Sequence, residues 1–273
     1  LEIACGNGAL SEKFAEEHSD WECIAIDPSN QSARNRYENV HFIHDFFDPA
    51  LFQGESFDVI VAHGILNRTA PMEMLRGIAS IANQNALISI EIVTLENSIF
   101  APYIWDHCYT FLEEVFVGYL NSCGMTVDHR VDCGPTIQFI CRFDKEMAIG
   151  NNAGFPETVD SSLSLYQDHI AKWELIKNNF LLALARNEGK KIALFGAGLY
   201  NAVLINILKE PKFDFVIDEV RAGRFFEGIE IISLDDAVRS EEAMVVFLCS
   251  RPSNLDYINE KLENKGFQVE TLL

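Results

Sequence analysis

Leu1-Glu2-Ile3-Ala4-Cys5-Gly6-Asn7-Gly8 decides how this 273-residue chain is read. A short apolar run suited to a strand enters two glycines, and Ala9 to Ser19 then follows helical spacing, with Leu10, Phe14 and Ala15 on one face. A glycine turn between strand and helix lets a ligand approach the backbone, because no Cβ stands in the way, and the free N–H groups of the helix start face it. The next apolar run, Cys23-Ile24-Ala25-Ile26, ends in Asp27. An acid at the tip of a second strand, about 20 residues beyond such a turn, is the usual partner of ribose hydroxyls. A packing glycine in an ordinary parallel sheet is the plainer alternative.

These two stretches carry a resemblance. Leu-Glu-Ile-x-Cys-Gly-Asn-Gly resembles the first motif of class I S-adenosylmethionine (SAM) dependent methyltransferases, and Ala-Ile-Asp-Pro-Ser resembles their second. The resemblance implies SAM as cofactor, with contacts from Glu2, Ala4, Gly6, Asn7, Gly8, Asp27 and Pro28. It implies an α/β fold: a class I methyltransferase Rossmann-like sheet, followed here by a second, smaller Rossmann-like α/β domain. Val40 to His44 reads as a third strand, and Asp45 and Phe46 stand where the family often holds adenine. A turn Asp and a core Phe are the alternative.

Phe57 to Ala62 is the clearest buried strand, with His63 and Gly64 at its carboxyl end, where open α/β sheets place ligands. His63 is therefore expected to border the SAM pocket, against the alternative of an exposed loop His. Met72 to Asn83 reads as a helix with Pro71 in its first turn, and Ala86 to Ile92 as strand five. Phe111 to Cys123 reads as a helix capped by Gly124, and Met125 to Asp132 and Thr136 to Arg142 as two closing strands. The connection from Thr94 to Phe111 is long and aromatic, and such excursions usually carry function.

That connection holds Tyr103-Ile104-Trp105-Asp106-His107-Cys108-Tyr109. A neutral His is a natural base for removing a proton next to a carbonyl. With Glu91 to Leu95 before it, the segment resembles the sugar C-methyltransferase family, whose acid–His pair maps onto Asp106 and His107. The resemblance implies His107 as base on a nucleotide-bound keto-sugar, with Tyr103 or Tyr109 as a candidate for a missing hydroxyl. The chain departs from the family at Arg68, where a His is usual, at Ile104 and Trp105, and at Gln138, where an Arg is usual. Asp106 and His107 as mere capping and packing residues are the alternative.

Residues 144–189 read as a linker and one long helix, the linker around Gly150 to Gly154 and the helix burying Ile170, Trp173, Ile176, Phe180, Leu181 and Leu184. Residues 1–143 form the expected SAM-binding domain and 190–273 the Rossmann-like C-terminal one. In the second, Gly196-Ala197-Gly198 turns into a helix and Asp218 ends the next strand, but Asn201 stands at the third glycine position. The resemblance implies that this domain helps hold a sugar nucleotide; a purely structural turn is equally open.

Composition narrows the classes. Net charge is −20, with 21 basic and 41 acidic residues, so nucleic acid is not an expected partner and a small-molecule substrate is. No apolar run approaches a membrane span, and seven scattered cysteines without a C-x-x-C pair suggest no metal and buried, reduced thiols in the cytoplasm. The first residue is Leu and strand one starts at the very edge, so a fragment lacking preceding helices or a domain is expected. An O- or N-methyltransferase of another small metabolite, and a catalytically degenerate SAM- or nucleotide-binding module, are the competing readings.

Overall fold

The computed structural model describes residues 1–29, 37–104, 106–150, 159–208, 213–240, 243–249 and 252–272. Of the linker expected over 144–156, residues 151–156 lie outside them, as does Trp105, and Lys145–Gly150 is helical instead. The chain forms two compact units, Leu1–Ser162 and Leu163–Leu273. No helix among the described residues is long and apolar enough to cross a membrane.

The first unit runs β1 (Glu2–Ile3), α1 (Ala9–Glu17), β2 (Cys23–Ile26), β3 (Val40–Ile43), β4 (Phe57–His63), α2 (Pro71–Ile81), β5 (Ala82–Ile92), α3 (Glu113–Ser122), β6 (Met125–Asp132), β7 (Ile137–Phe143) and α4 (Lys145–Gly150). Its seven-stranded sheet has the order β3-β2-β1-β4-β5-β7-β6. β1 to β5 pair in parallel, whereas β7 pairs antiparallel with both β5 and β6, the closing pair expected of the class I methyltransferase fold. β1 is flanked by β2 and β4, so the strand order reverses there and opens a crevice at the carboxyl ends. Ile60, Ala62, Ile88, Ile90 and Ile92 are fully buried on one side of the sheet, in one cluster with Leu75 and Ile78 of α2 and Phe116 and Leu120 of α3. Alternation along β4 and β5 thus sends one set of side chains into this core and the other, including His63, Ser89 and Glu91, to the opposite face.

Several local expectations change. α2 stops at Ile81, and Ala82 and Asn83 are strand. Pairing of Ala82 with Phe57, and a 2.8 Å hydrogen bond from Asn83 to Asp58, outweigh the helical periodicity there. α3 starts at Glu113, because Phe111 is held by a bridge to Thr94. α1 buries Ser11 and Ala15, while Leu10 is exposed. Phe46 is 73% exposed and is not a core residue. Five cysteines are buried, but Cys108 and Cys133 are exposed. Burial pushes the thiols of Cys5, Cys141 and Cys249 up to about 12, so they behave as small apolar groups.

α5 (Val159–Arg186) leads into β8 (Lys191–Phe195), α6 (Leu199–Leu208), β9 (Phe215–Ile217), β10 (Phe225–Phe226), β11 (Ile229–Ile232), α7 (Leu234–Arg239), β12 (Met244–Leu248), α8 (Pro252–Glu263) and β13 (Gln268–Thr271). The second unit's sheet has the order β10-β11-β9-β8-β12-β13 and is parallel except for β10. Ser233 caps α7 by accepting from the Asp236 amide. The buried stripe of α5 is His169, Trp173, Ile176, Phe180, Ala183 and Asn187 at its end. Ile170 and Leu181, expected on it, lie one position round and are half exposed. Phe180 packs on Phe247 at 4.9 Å and Phe213 at 5.2 Å between ring centroids, which makes this helix part of the second unit's core.

Phe180→Ala is expected to cost about 3–5 kcal/mol, because a fully buried ring and its two aromatic contacts are lost. Denaturant unfolding of the variant should show the loss; an unchanged transition would mean that α5 is not held by this core.

Candidate functional site

The glycine turn is built on the end of the β1–β2 ladder. The Cys5 N–H continues that ladder to the Ile26 carbonyl at 3.2 Å. The backbone then takes positive φ at Ala4 (57°), Gly6 (55°) and Gly8 (72°). Gly6 donates its N–H to Asp27 Oδ2 at 2.9 Å, and Ser29 donates its N–H to Asp27 Oδ1 at 2.7 Å. Asp27 is nearly buried, which by itself would raise its pKa; the hydrogen bonds from Ser29 and Gly6 outweigh this and hold the carboxyl below its usual range. The carboxylate is therefore charged and fixed at the rim of the turn.

The two glycines differ. A Cβ on Gly6 would meet nothing within 4 Å, so that position opens onto free space. A Cβ on Gly8 would come within 2.2 Å of Phe42 Cε1, so Gly8 permits close packing of helix and strand. Asn7 is exposed and accepts from the Ala9 amide at 3.2 Å. Glu2 turns its carboxylate to Ser11, accepting from its N–H at 3.0 Å and from its hydroxyl at 2.5 Å. Glu2 and Asn7 thus satisfy N–H groups at the start of α1. Burial raises the Glu2 pKa against the lowering effect of Ser11. Pro28 is exposed beyond Asp27, and Asp45 and Phe46 are exposed beyond β3, with Asp45 accepting from the Phe46 amide at 2.7 Å.

His63 ends β4 beside β5 and β7. Its Nε2 lies 2.8 Å from Ser89 Oγ, which also accepts from Gln138 Nε2 at 2.8 Å. Ser89 Oγ thus links His63 to Gln138. Burial holds the His63 pKa below its ordinary value, against the opposing charge of Glu91.

The long excursion is anchored by a residue that periodicity does not mark. Asn67 is 1% exposed. Its side chain donates to the Val93 and Tyr109 carbonyls at 2.9 and 3.0 Å and accepts from the Val93 amide at 2.9 Å. Its own carbonyl accepts from Cys108 and Tyr109 at 2.8 and 3.0 Å. A lone Asn in an apolar run was the only available signal. Next to it, Arg68 Nε donates to Asp106 Oδ2 at 2.6 Å, so the carboxylate expected to serve His107 pairs with a guanidinium instead. His107 is partly buried, with Nδ1 shielded and without a hydrogen-bond partner among the described residues. Burial first, and Arg68 second, lower its pKa, opposed by Asp106. Tyr109 is 42% exposed, its ring stacked 6.3 Å from Phe111.

The structure thus joins Gly6 to Asp27, His63 to Gln138 through Ser89, and Asp106 to Arg68. A cleft of about 580 Å³ lies elsewhere, at the amino ends of β1, β2 and β4, lined by Trp21, Cys23 and Phe57 among others. Among the described residues, no group of three or more His, Cys, Asp or Glu could hold a metal ion.

Residues 1–88 match the model of a family described as a methyltransferase domain. No curated protein matches the chain. Among solved structures, an O-methyltransferase family protein from Burkholderia thailandensis is similar at 16% identity and a TM-score of 0.45, over 52% of this chain and 50% of that one. The chain therefore spans half the length of that relative. A 1,6-didemethyltoxoflavin-N1-methyltransferase from the same organism, with S-adenosylhomocysteine bound, is similar at 17% identity and a TM-score of 0.43, over 53% of this chain and 70% of that one. The N-methyltransferase NodS from Bradyrhizobium japonicum gives 17%, 0.42, 53% and 85%. The matched stretch, the sheet order and the Gly6–Asp27 turn agree with a methyltransferase-like domain built on residues 1–88.

The glycines give a paired prediction. Gly8→Ala should destabilise the first unit by about 1–2 kcal/mol or more, from its left-handed φ and the Phe42 contact. Gly6→Ala carries a similar strain from its own left-handed φ but has room for its methyl group, so it should lower the melting temperature less than Gly8→Ala and weaken SAM binding more. Calorimetric titration and thermal melting of both variants check this; equal effects on both readouts would contradict it.

Proposed function

We propose that this chain transfers the methyl group of SAM to a small-molecule acceptor, and that the acceptor is a nucleotide-bound keto-sugar methylated at carbon. The observation that carries this reading is His107: a partly buried imidazole with a lowered pKa, neutral at pH 7, on the excursion at the carboxyl edge of the sheet.

SAM supplies the methyl group as an electrophile on a sulfonium. Asp27, already oriented by the Gly6 and Ser29 amides, accepts the ribose hydroxyls on its remaining lone pairs. The open face of Gly6 admits the cofactor's methionine portion against the backbone, and Gly8 with Phe42 keeps the turn rigid. Asn7, Ala4 and Pro28 line the same turn and strand tip, with Glu2 supporting it from beneath and His63 bordering it at the end of β4. Asp45 and Phe46 offer an acceptor for the adenine amino group and an apolar surface for its ring.

At the acceptor, His107 removes the proton from the carbon next to the carbonyl and keeps it. The electron pair of that C–H bond would form the new C–CH₃ bond as the methyl–sulfur bond breaks, its pair staying on sulfur so that S-adenosylhomocysteine leaves. Holding both partners in line supplies up to about 7–11 kcal/mol of the barrier. Tyr109 stands near as a hydroxyl for the sugar. The acidic surface disfavours nucleic acid, and the free cysteines suit the cytoplasm. Methylation at oxygen or nitrogen of another metabolite is the second reading. It is favoured by the departures from the sugar C-methyltransferase pattern at Ile104, Trp105 and Gln138.

Asp27→Ala should raise the SAM dissociation constant at least about tenfold, or about 1.4 kcal/mol; an unchanged constant by calorimetry would count against the pocket. His107→Gln should retain SAM binding and lose about 10²-fold or more in turnover. Incubating keto-sugar nucleotides with methyl-labelled SAM, and locating the label on carbon or on a heteroatom, separates the two acceptor readings. Full turnover by His107→Gln would remove this base from the mechanism.

A further inference from the structure

Two neighbouring residues of one short turn hold the excursion from both sides of His107. Asn67 fixes the backbone of Cys108 and Tyr109, and ties it to Val93 at the end of β5. Arg68 reaches Asp106 on the other side and anchors its guanidinium on the Gly64 carbonyl. His107 lies between these tethers, its backbone N–H donating to the Ile104 carbonyl at 3.0 Å and its Nδ1 without a partner among the described residues.

We propose that the Asn67–Arg68 turn is a positioning device for His107, in which Asn67 sets the segment's place and Arg68 neutralises Asp106, leaving the imidazole free to accept a proton. This rests on the reading of His107 as base. The argument is geometric and electrostatic. A carboxylate free beside an imidazole stabilises the imidazolium and holds the base protonated. A carboxylate bonded to a guanidinium at 2.6 Å is compensated, and the added positive charge opposes protonation of the ring. The charged groups acting on His107 are Arg68 from the turn and Asp106 on its own segment. The direction agrees, since Arg68 lowers the His107 pKa more than Asp106 raises it.

Nor is the ion pair chiefly a fold-stabilising contact. The side chains of Arg68 and Asp106 are 39% and 31% exposed, and pairs this accessible contribute little to stability. Stability instead resides in Asn67, which is buried and fully bonded. The two residues therefore divide the work, one holding the chain and the other setting the charge.

The test titrates His107 by NMR in the full chain, for the native protein, Arg68→Gln and Arg68→Lys. The expected result is a rise in the His107 midpoint of about half a pH unit or more in Arg68→Gln, with Arg68→Lys close to native. An unmoved midpoint in Arg68→Gln overturns the proposal, whatever the acceptor proves to be. With the keto-sugar nucleotide as substrate, the acid limb of kcat/KM should move up by the same amount, a loss of about threefold below pH 6, with SAM affinity unchanged. A shifted midpoint with an unshifted acid limb would keep the electrostatic device and reject His107 as the base. Asn67→Ala should keep SAM affinity and lower kcat more than it raises KM. Native kcat in a folded Asn67→Ala variant would overturn its positioning role, and if that variant does not fold, Arg68→Gln decides.

Discussion

A single hydrogen bond, from the Gly6 amide to the Asp27 carboxylate at 2.9 Å, organises the first unit's working edge. It joins the turn after β1 to the tip of β2, the two places where the proposed cofactor pocket lies. Without it, nearly buried Asp27 would carry its desolvation cost with Ser29 and the charge of His44 in compensation. Because the bonds hold the Asp27 carboxyl below 3.8, its contribution to stability is present above that pH and is lost as pH falls through the folded-state value. The same constraint sets the backbone: left-handed φ at Gly6 and Gly8 brings the amide inward while leaving the Gly6 surface open.

The sheet was legible in the sequence because buried parallel strands are short apolar runs. Cys23–Ile26 and the run at Phe57 read directly, and each led to the polar residue at its carboxyl end, Asp27 and His63. The turn positions read equally well, since both glycine turns stand between a strand and a helix as expected. What failed were choices made by tertiary contact. Ala82 and Asn83 fit a helix by periodicity and are strand because β4 pairs with them. Ile170 and Leu181 fit an apolar stripe whose true centre is Trp173, Ile176 and Phe180. The partner of Asp106 was not legible, because it lies 38 residues away in sequence. Nor was Asn67, whose importance comes from where its hydrogen bonds end.

The second unit repeats the first unit's device with a different closure. The Ala197 amide donates to Asp218 Oδ2 at 2.9 Å, across the same 21-residue separation as Gly6 and Asp27. Asn201, at the third glycine position, donates to the carbonyls of Phe195 and Gly196 and so braces the turn from inside. Asp218 Oδ1 accepts from the Val220 and Arg221 amides, and the Arg221 guanidinium bonds the Ala197 carbonyl. Here the acid and the turn are tied into one another by the protein's own groups, which explains why the fingerprint departs from three glycines without loss of the fold.

The most direct measurement is a crystal structure of the chain with S-adenosylhomocysteine. The account predicts both ribose hydroxyls within hydrogen-bond distance of the Asp27 carboxylate, and the ligand's amino-acid portion against the Gly6 backbone. A ligand bound elsewhere with Asp27 untouched would contradict it.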